Sequence, residues 1–365
     1  MSAVEEKAPR AAVLGQLEQP VEVDPLSYSG WDSLLAAHPD HSFFHGTAWA
    51  RVLHDTYGHR PVYFCRFAAG RLEQLFPVME VSSLLTGRRG VSLPFTDSCP
   101  LLSGSRARGG HDLRALLDFA ADYGQVHGWR YLECRNPATC EAGATPSLRF
   151  YSHWVDLDPG VESLFQGLDG AFRRGLRKAE KSAIRVEFEG STEGIERFYG
   201  LHCQTRRRHG LPPQPVRFFR NIARQVLERG QGVVATAWAG QRAVAAAVFF
   251  HADQEVIYKY GASDYAFQHL RPNNVLMWEA MKRFCSEGFS TFHLGRTSLT
   301  AEGLRRFKLE LGAREEQIAY YRRELRGRTL VVEQDRTEGW FNQVFSRLPL
   351  PCLRLAGSLL YPHLS

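Results

Sequence analysis

Lys308 falls within the apolar stripe of a short helix, next to Phe307 and between Leu304 and Leu311. A lysine so placed either snorkels past the apolar surface to water, the commoner outcome, or is held in a pocket. Held there, its ammonium could stabilise a developing negative charge or protonate a leaving oxygen. Asp97 lies in the Pro-bounded loop LPFTDSCPLL, Leu93 to Leu102, where apolar flanks make it the best carboxylate for orienting or deprotonating an amine. Arg271-Pro272-Asn273-Asn274 opens a helix, because Pro gives up no needed N–H there and Asn can cap. The free N–H groups and the helix dipole then favour an anion, which Arg271 and Lys259 could help to hold. The plainer alternative is an ordinary cap with solvated charges.

These residues need elements to position them. A strand over Val256–Tyr260 leads through a polar loop to a helix over Asn274–Ser286, then Gly288 and a strand over Phe289–Leu294. The hairpin over Val233–Trp238 and Val244–Phe250 precedes them, turning at Ala239-Gly240-Gln241. The first half shows the same order. Its hairpin spans Val62–Phe67 and Gln74–Val81, followed by a helix over His111–Val126 and a strand over Trp129–Cys134. HGWRYLECR and EGFSTFHLGR each follow an amphipathic helix, which predicts a duplicated unit and paired domains. The fold class is therefore α+β, with mixed, mainly antiparallel sheets.

Between the halves, Ala171 to Arg185 predicts a helix capped by Asp169, with Phe172, Leu176, Ala179 and Ala183 as its apolar stripe. Arg174, Lys178 and Lys181 stand on its outer faces, either as solvated charge or as a phosphate- or RNA-facing surface. Thr205 to Pro215 reads as a basic, Pro-stiffened loop between two helices. Short helices are expected over Trp31–Ala37 and Thr47–Thr56, with His38, His41 and His45 between them as loop histidines rather than metal ligands. The tail, Phe341 to Leu364, docks on the domains or rests on a membrane face.

The chain has 365 residues, 44% of them hydrophobic, enough for two cores, and its net charge of +6 permits phosphate-bearing partners without demanding them. Seven cysteines with no C-x-x-C pair argue against a disulfide framework or zinc ribbon and fit a reducing cytoplasm. No signal peptide, membrane-length apolar run, P-loop, G-x-S-x-G, H-E-x-x-H or G-x-G-x-x-G is present. The expected location is cytoplasmic, with the inner membrane face open to the tail.

The pattern YKYGASD…LRPNN-LMWEA…GR-S…GLRRFK resembles the FemAB/FemX-like peptidyltransferases and their acyltransferase relatives, from about Phe43 to Arg323 and most specifically from Lys259 to Lys308. The resemblance implies two tandem GCN5-related N-acetyltransferase (GNAT) folds. The expected division is a disordered leader over 1–22, GNAT-like domains over 23–160 and 191–330, a basic linker helix over 161–190 and an amphipathic tail over 331–365. By the matching Phe-Lys pair, Lys308 would be catalytic, and the loop of Asp97 would line the acceptor cleft. Lys259, Tyr260, Arg271, Asn273, Asn274 and Arg296 would bind substrate, holding phosphate or peptide carboxylate.

The expected activity is direct acyl or aminoacyl transfer to an amine of a cell-envelope precursor, a peptidoglycan stem peptide or an exopolysaccharide. No cofactor or metal is expected, and the donor is aminoacyl-tRNA or an acyl-CoA. RPNN stands where CoA-dependent GNAT proteins carry Q/R-x-x-G-x-G/A, which favours a donor other than CoA. Against that, the long coiled-coil arm that some Fem proteins use with tRNA is absent, which weakens the case for tRNA without removing it. The rivals are an acyl-CoA-dependent N-acyltransferase of small amines or sugars, and a non-catalytic binder of RNA or precursor.

Overall fold

Alternating apolar runs around tight turns give each half its hairpin, and the rest of each half is built onto it. The structure, a computed structural model, describes residues 17–104, 110–135, 145–325 and 340–364. In the first half, β1 (Val21–Val23), α1 (Trp31–Ala36) and α2 (Thr47–Tyr57) precede the hairpin of β2 (Arg60–Ala68) and β3 (Arg71–Ser83). Next come β4 (Gly87–Val91), β5 (Leu102–Ser103), α3 (Gly110–Val126), β6 (Tyr131–Arg135), β7 (Leu148–Asp156), α4 (Gly160–Gly167) and α5 (Gly170–Lys181). The second half runs β8 (Arg185–Glu189), α6 (Thr192–Arg208), α7 (Val216–Ile222), then the hairpin of β9 (Gly232–Ala239) and β10 (Arg242–Ala252). It continues with β11 (Glu255–Ser263), α8 (Pro272–Ser286), β12 (Thr291–Ser298), α9 (Glu302–Glu310) and β13 (Arg314–Glu324), and the tail forms α10 (Trp340–Arg347) and α11 (Leu350–Leu360).

The repeat read from HGWRYLECR and EGFSTFHLGR is real in three dimensions. In each half a helix leads back to a strand parallel to an earlier one, so β6 lies beside β4 and β12 beside β11. Gly128 and Gly288, both at positive φ, end the two helices and turn the chain into those strands. The two sheets then merge by exchange. β13, from the second half, pairs with β6 and β7 of the first, and β7 pairs in turn with β12. Among the described residues thirteen strands thus form one sheet, mostly antiparallel, with helices packed on it: an α+β architecture.

One buried cluster is shared between the halves, joining Phe43, Phe44 and Trp49 to Phe198, Phe218, Phe219 and Phe250. Phe43 and Phe250 meet with ring centroids 4.8 Å apart, so an aromatic core runs continuously between the halves. α5 packs on α8 through Phe172, Leu176 and Ala179, and Asp169 caps it by accepting from the Ala171 N–H at 2.6 Å. Gly175 permits this approach, since a Cβ there would sit 2.8 Å from Asn274 Nδ2.

Several local expectations are revised. Ala183 lies beyond the end of α5 at φ 50°, so it does not extend the stripe. Thr205–Arg208 belongs to the last turn of α6, and only the residues after it form the Pro-stiffened connection. Residues 1–16 of the expected leader lie outside the described residues, as does Cys140, while Val21–Val23 pairs with Tyr63–Cys65 of β2. No helix among the described residues is long and apolar enough to cross a membrane.

Candidate active site

The site begins where two strands part. β11 and β12 pair only from Glu255 to Ile257 opposite Thr291 to His293. On β11, Tyr258 faces Phe249 and Tyr260 faces Val248, so Lys259 is an extra residue in a β-bulge. The bulge resets the alternation of side chains. Tyr258 therefore packs with the core beneath α8, whereas Lys259 and Tyr260 both turn to the aromatic core shared by the halves. On β12, Leu294 and Gly295 stand between the pairs His293–Trp154 and Arg296–Ser152, a second bulge, with Gly295 at φ 71°.

Asp97 fills this parting from the first half. Its Oδ2 accepts from Lys259 Nζ at 3.2 Å, and its Oδ1 lies 3.9 Å from Arg296 Nε. Burial alone would raise the Asp97 carboxyl, but the charges of Lys259 and Arg296 outweigh it and hold it below the ordinary range. The Lys259 ammonium is itself lowered by burial, against the pull of Asp97, and lies over the rings of Phe44 and Trp49.

Lys308 approaches from α9, and the snorkelling expectation fails. Its side chain is the buried one of that helix at 3% exposure, while Leu304, expected to share its apolar stripe, is exposed. Lys308 Nζ donates to the Gly295 carbonyl at 2.8 Å and the Arg296 carbonyl at 3.1 Å, both freed by the bulge in β12. Burial pushes its pKa down to about 8, with Asp97 opposing the shift. Gly295 is thus the hinge of the site: a Cβ there would sit 3.1 Å from Asp97 Oδ2. Gly295→Ala is expected to destabilise the protein by about 1–2 kcal/mol in chemical denaturation, because a left-handed backbone disfavours any Cβ.

Residues not singled out from sequence hold the Asp97 loop in place. Tyr320 on β13 donates from its hydroxyl to the Asp97 carbonyl at 2.6 Å and accepts from Arg296 Nη1 at 2.9 Å. Arg135 Nη1 donates to the carbonyls of Leu93 and Thr96, at 3.4 and 3.2 Å, while Glu133 neutralises its guanidinium. Leu93 and Phe95 are both held at positive φ, which bulky residues rarely adopt without surrounding support. The repeat carried a signal for Arg135, since it occupies the place in LECR that Arg296 occupies in HLGR. Tyr320 had none, because only the strand exchange brings it there.

The remaining predicted positions separate into two groups. Arg271, Asn273 and Asn274 line a cavity of about 500 Å³ with Tyr258, Gly261 and Phe307. Neither asparagine caps α8. Arg271 takes the cap position in the left-handed conformation, and Asn273 Nδ2 instead donates to Ser263 Oγ at 3.5 Å. Lys259 does not join them, since the bulge sends it to Asp97. Tyr260 is likewise in the aromatic core, its hydroxyl without a hydrogen-bond partner among the described residues. Phe307 on the cavity wall, next in sequence to Lys308, links the two groups.

Arg174, Lys178 and Lys181 are exposed on α5, outside both groups. The three histidines have different side-chain partners: His41 pairs with Asp253 at 2.8 Å and its Nδ1 meets the His38 carbonyl at 2.7 Å, buried His45 contacts the Pro100 carbonyl at 3.0 Å, and His38 Nδ1 accepts from the Asp40 N–H.

Residues 170–309 match the family model of the acetyltransferase (GNAT) domain. No curated protein sequence matches the chain. FemX superposes with a TM-score of 0.64 at 14% identity, covering 82% of this chain and 96% of that one. A tandem GNAT protein from the clavulanic acid biosynthesis pathway gives 0.51 at 12% identity, covering 85% and 99%. L-PGS from Bacillus licheniformis gives 0.50 at 10% identity, covering 90% and 95%. The chain has a tandem GNAT fold, with the acetyltransferase (GNAT) domain match lying over residues 170–309. Its two halves are arranged similarly to those of FemX.

Proposed function

We propose that this protein transfers an acyl or aminoacyl group directly to an amine of a cell-envelope precursor, either a peptidoglycan stem peptide or an exopolysaccharide sugar. The observation that carries the reading is Lys308, a buried ammonium with a pKa of about 8 at the parting of β11 and β12, opposite a half-buried carboxylate. A neutral amine attacks the donor carbonyl, forming the new C–N bond. The oxyanion is met by the Lys308 ammonium, turned from the carbonyls it now engages. As the C–O or C–S bond breaks, Lys308 gives its proton to the leaving atom and regains one from the attacking nitrogen. Asp97, held ionised, is too weak a base to take that proton and instead orients the incoming amine.

The cavity at the start of α8 suits the donor. Its entrance has Arg208 and Arg271 for phosphate and a helix N-terminus behind them. The missing Gly-rich loop and the exposed cations of α5 favour aminoacyl-tRNA, and no separate cofactor is needed, since the donor brings its group already activated. Acyl-CoA is the second reading, favoured by the acetyltransferase domain match. Titrating the protein at moderate salt with acetyl-CoA, a long-chain acyl-CoA and a mixed aminoacyl-tRNA pool tests the choice. Saturable binding of charged tRNA alone is expected. Saturable CoA binding would move the protein to the CoA-dependent branch, and no binding of any donor would remove the proposal.

A further inference from the structure

Exposed leucines from two distant segments adjoin at the C-terminal tail. α11 docks on α6 and its following loop by one face: Leu353 and Gly357 are buried, and Gly357 lies too close to the Pro213 carbonyl to admit a Cβ. The Tyr361 hydroxyl donates to the Pro212 carbonyl at 3.3 Å and accepts from Arg206 at 2.9 Å. The opposite face carries Leu355 and Leu359, 62% and 63% exposed, followed by exposed Leu360 and Leu364. A helix apolar on both faces needs something on its second face.

The end of the tail is tied to the β3–β4 turn. His363 Nδ1 meets Ser83 Oγ at 2.9 Å, and its carbonyl accepts from Arg89 at 2.7 Å and Thr86 at 3.4 Å. Ser83 and Thr86 bracket Leu84 and Leu85, which are 103% and 73% exposed and bury nothing in the fold.

Charge says what covers these leucines. Residues 81–90, 205–220 and 340–364, which make up and adjoin this surface, contain no Asp or Glu. They contribute exposed Arg88, Arg207, Arg217 and Arg347. A second copy of the chain could cover the leucines, but a twofold contact would set arginines against arginines. An anionic bilayer satisfies both parts, with leucines in the acyl boundary and guanidinium groups among phosphates. We propose that this face, built from α11 and the β3–β4 turn, docks on an anionic lipid membrane surface.

Flotation of the full chain with vesicles tests this, using phosphatidylcholine alone and an equal mixture of phosphatidylcholine and phosphatidylglycerol. The protein is expected to float with the mixed vesicles, to stay behind with phosphatidylcholine, and to be released by high salt. Leu84→Ser/Leu85→Ser and Leu355→Ser/Leu359→Ser should each weaken binding by about tenfold or more. The first pair lies in a solvent-exposed turn, so its unfolding midpoint should match the wild type. Failure of the wild type to float, or unchanged binding by both variant pairs, would overturn the proposal. So would leucine variants that only convert a dimer to a monomer in sedimentation velocity.

Discussion

Lys308→Ala is expected to lower kcat by about a hundred- to ten-thousandfold while donor and acceptor binding change little. The buried ammonium acts on charge that exists only in the transition state, so its loss falls on kcat more than on KM. Lys308→Arg should not rescue turnover. A guanidinium keeps the charge but cannot release a proton, and its planar fork does not fit the two bulge carbonyls. Since the proposed role needs the ammonium, kcat should decline as pH rises through about 8, the pKa to which burial lowers Lys308. A rate that rose through that pH instead would make Lys308 a base and reverse the assignment.

The same group has a stability signature of definite sign. Its folded pKa of about 8 lies below the ordinary 10.5, so between those values the unfolded chain binds more protons than the folded one. Stability tied to Lys308 is fully present above the ordinary value and is lost as pH falls through the folded one. Relative to Lys308→Met, the wild type should gain on the order of 2 kcal/mol from pH 8 to 10 in denaturant titrations.

Asp97→Asn is expected to destabilise the protein by about 3–5 kcal/mol and to lower turnover by about a hundredfold. Lys259 is 3% exposed, and its ammonium would be left among Phe44, Trp49 and Tyr260 without a counter-charge. Adding Lys259→Met to Asp97→Asn separates the two effects. The double variant removes the stranded charge and should recover most of the unfolding free energy while remaining inactive. If turnover returned with stability, Asp97 would serve only to neutralise Lys259. If neither variant lost stability, the ion pair would not be buried as described.

Local patterns carried most of the elements. Both hairpins, the helix-then-strand repeat and the stripe of Phe172, Leu176 and Ala179 follow from alternation and periodicity, and the sequence holds that information directly. Lys308 was legible because a cation in an apolar stripe breaks the rule around it. Lys259 was legible as a residue but not as a neighbour. Spacing along a strand assumes strict alternation, and the bulge that turns it toward Asp97 is one extra residue no periodicity marks. Nor could the asparagines be known to leave the α8 cap, since Arg271 adopts a conformation in which a side chain is disfavoured. Tyr320 is the clearest omission. It reaches Asp97, 223 positions away, only through the pairing of β13 with β6 and β7, and sequence grammar is local.

The exchange of β7 and β13 has a consequence for how the molecule can move and be divided. Each half finishes its sheet with a strand lent by the other, so the two are laced and not hinged. They cannot swing apart about a linker to admit substrate and close again. The backbone positions of Asp97 and Lys308, drawn from opposite halves, therefore keep a fixed separation through turnover, and access must come from side chains and loops at the rim. Expressed alone, neither half would be a domain: each would present a raw strand edge where its partner's ribbon belongs, a surface suited to aggregation rather than catalysis.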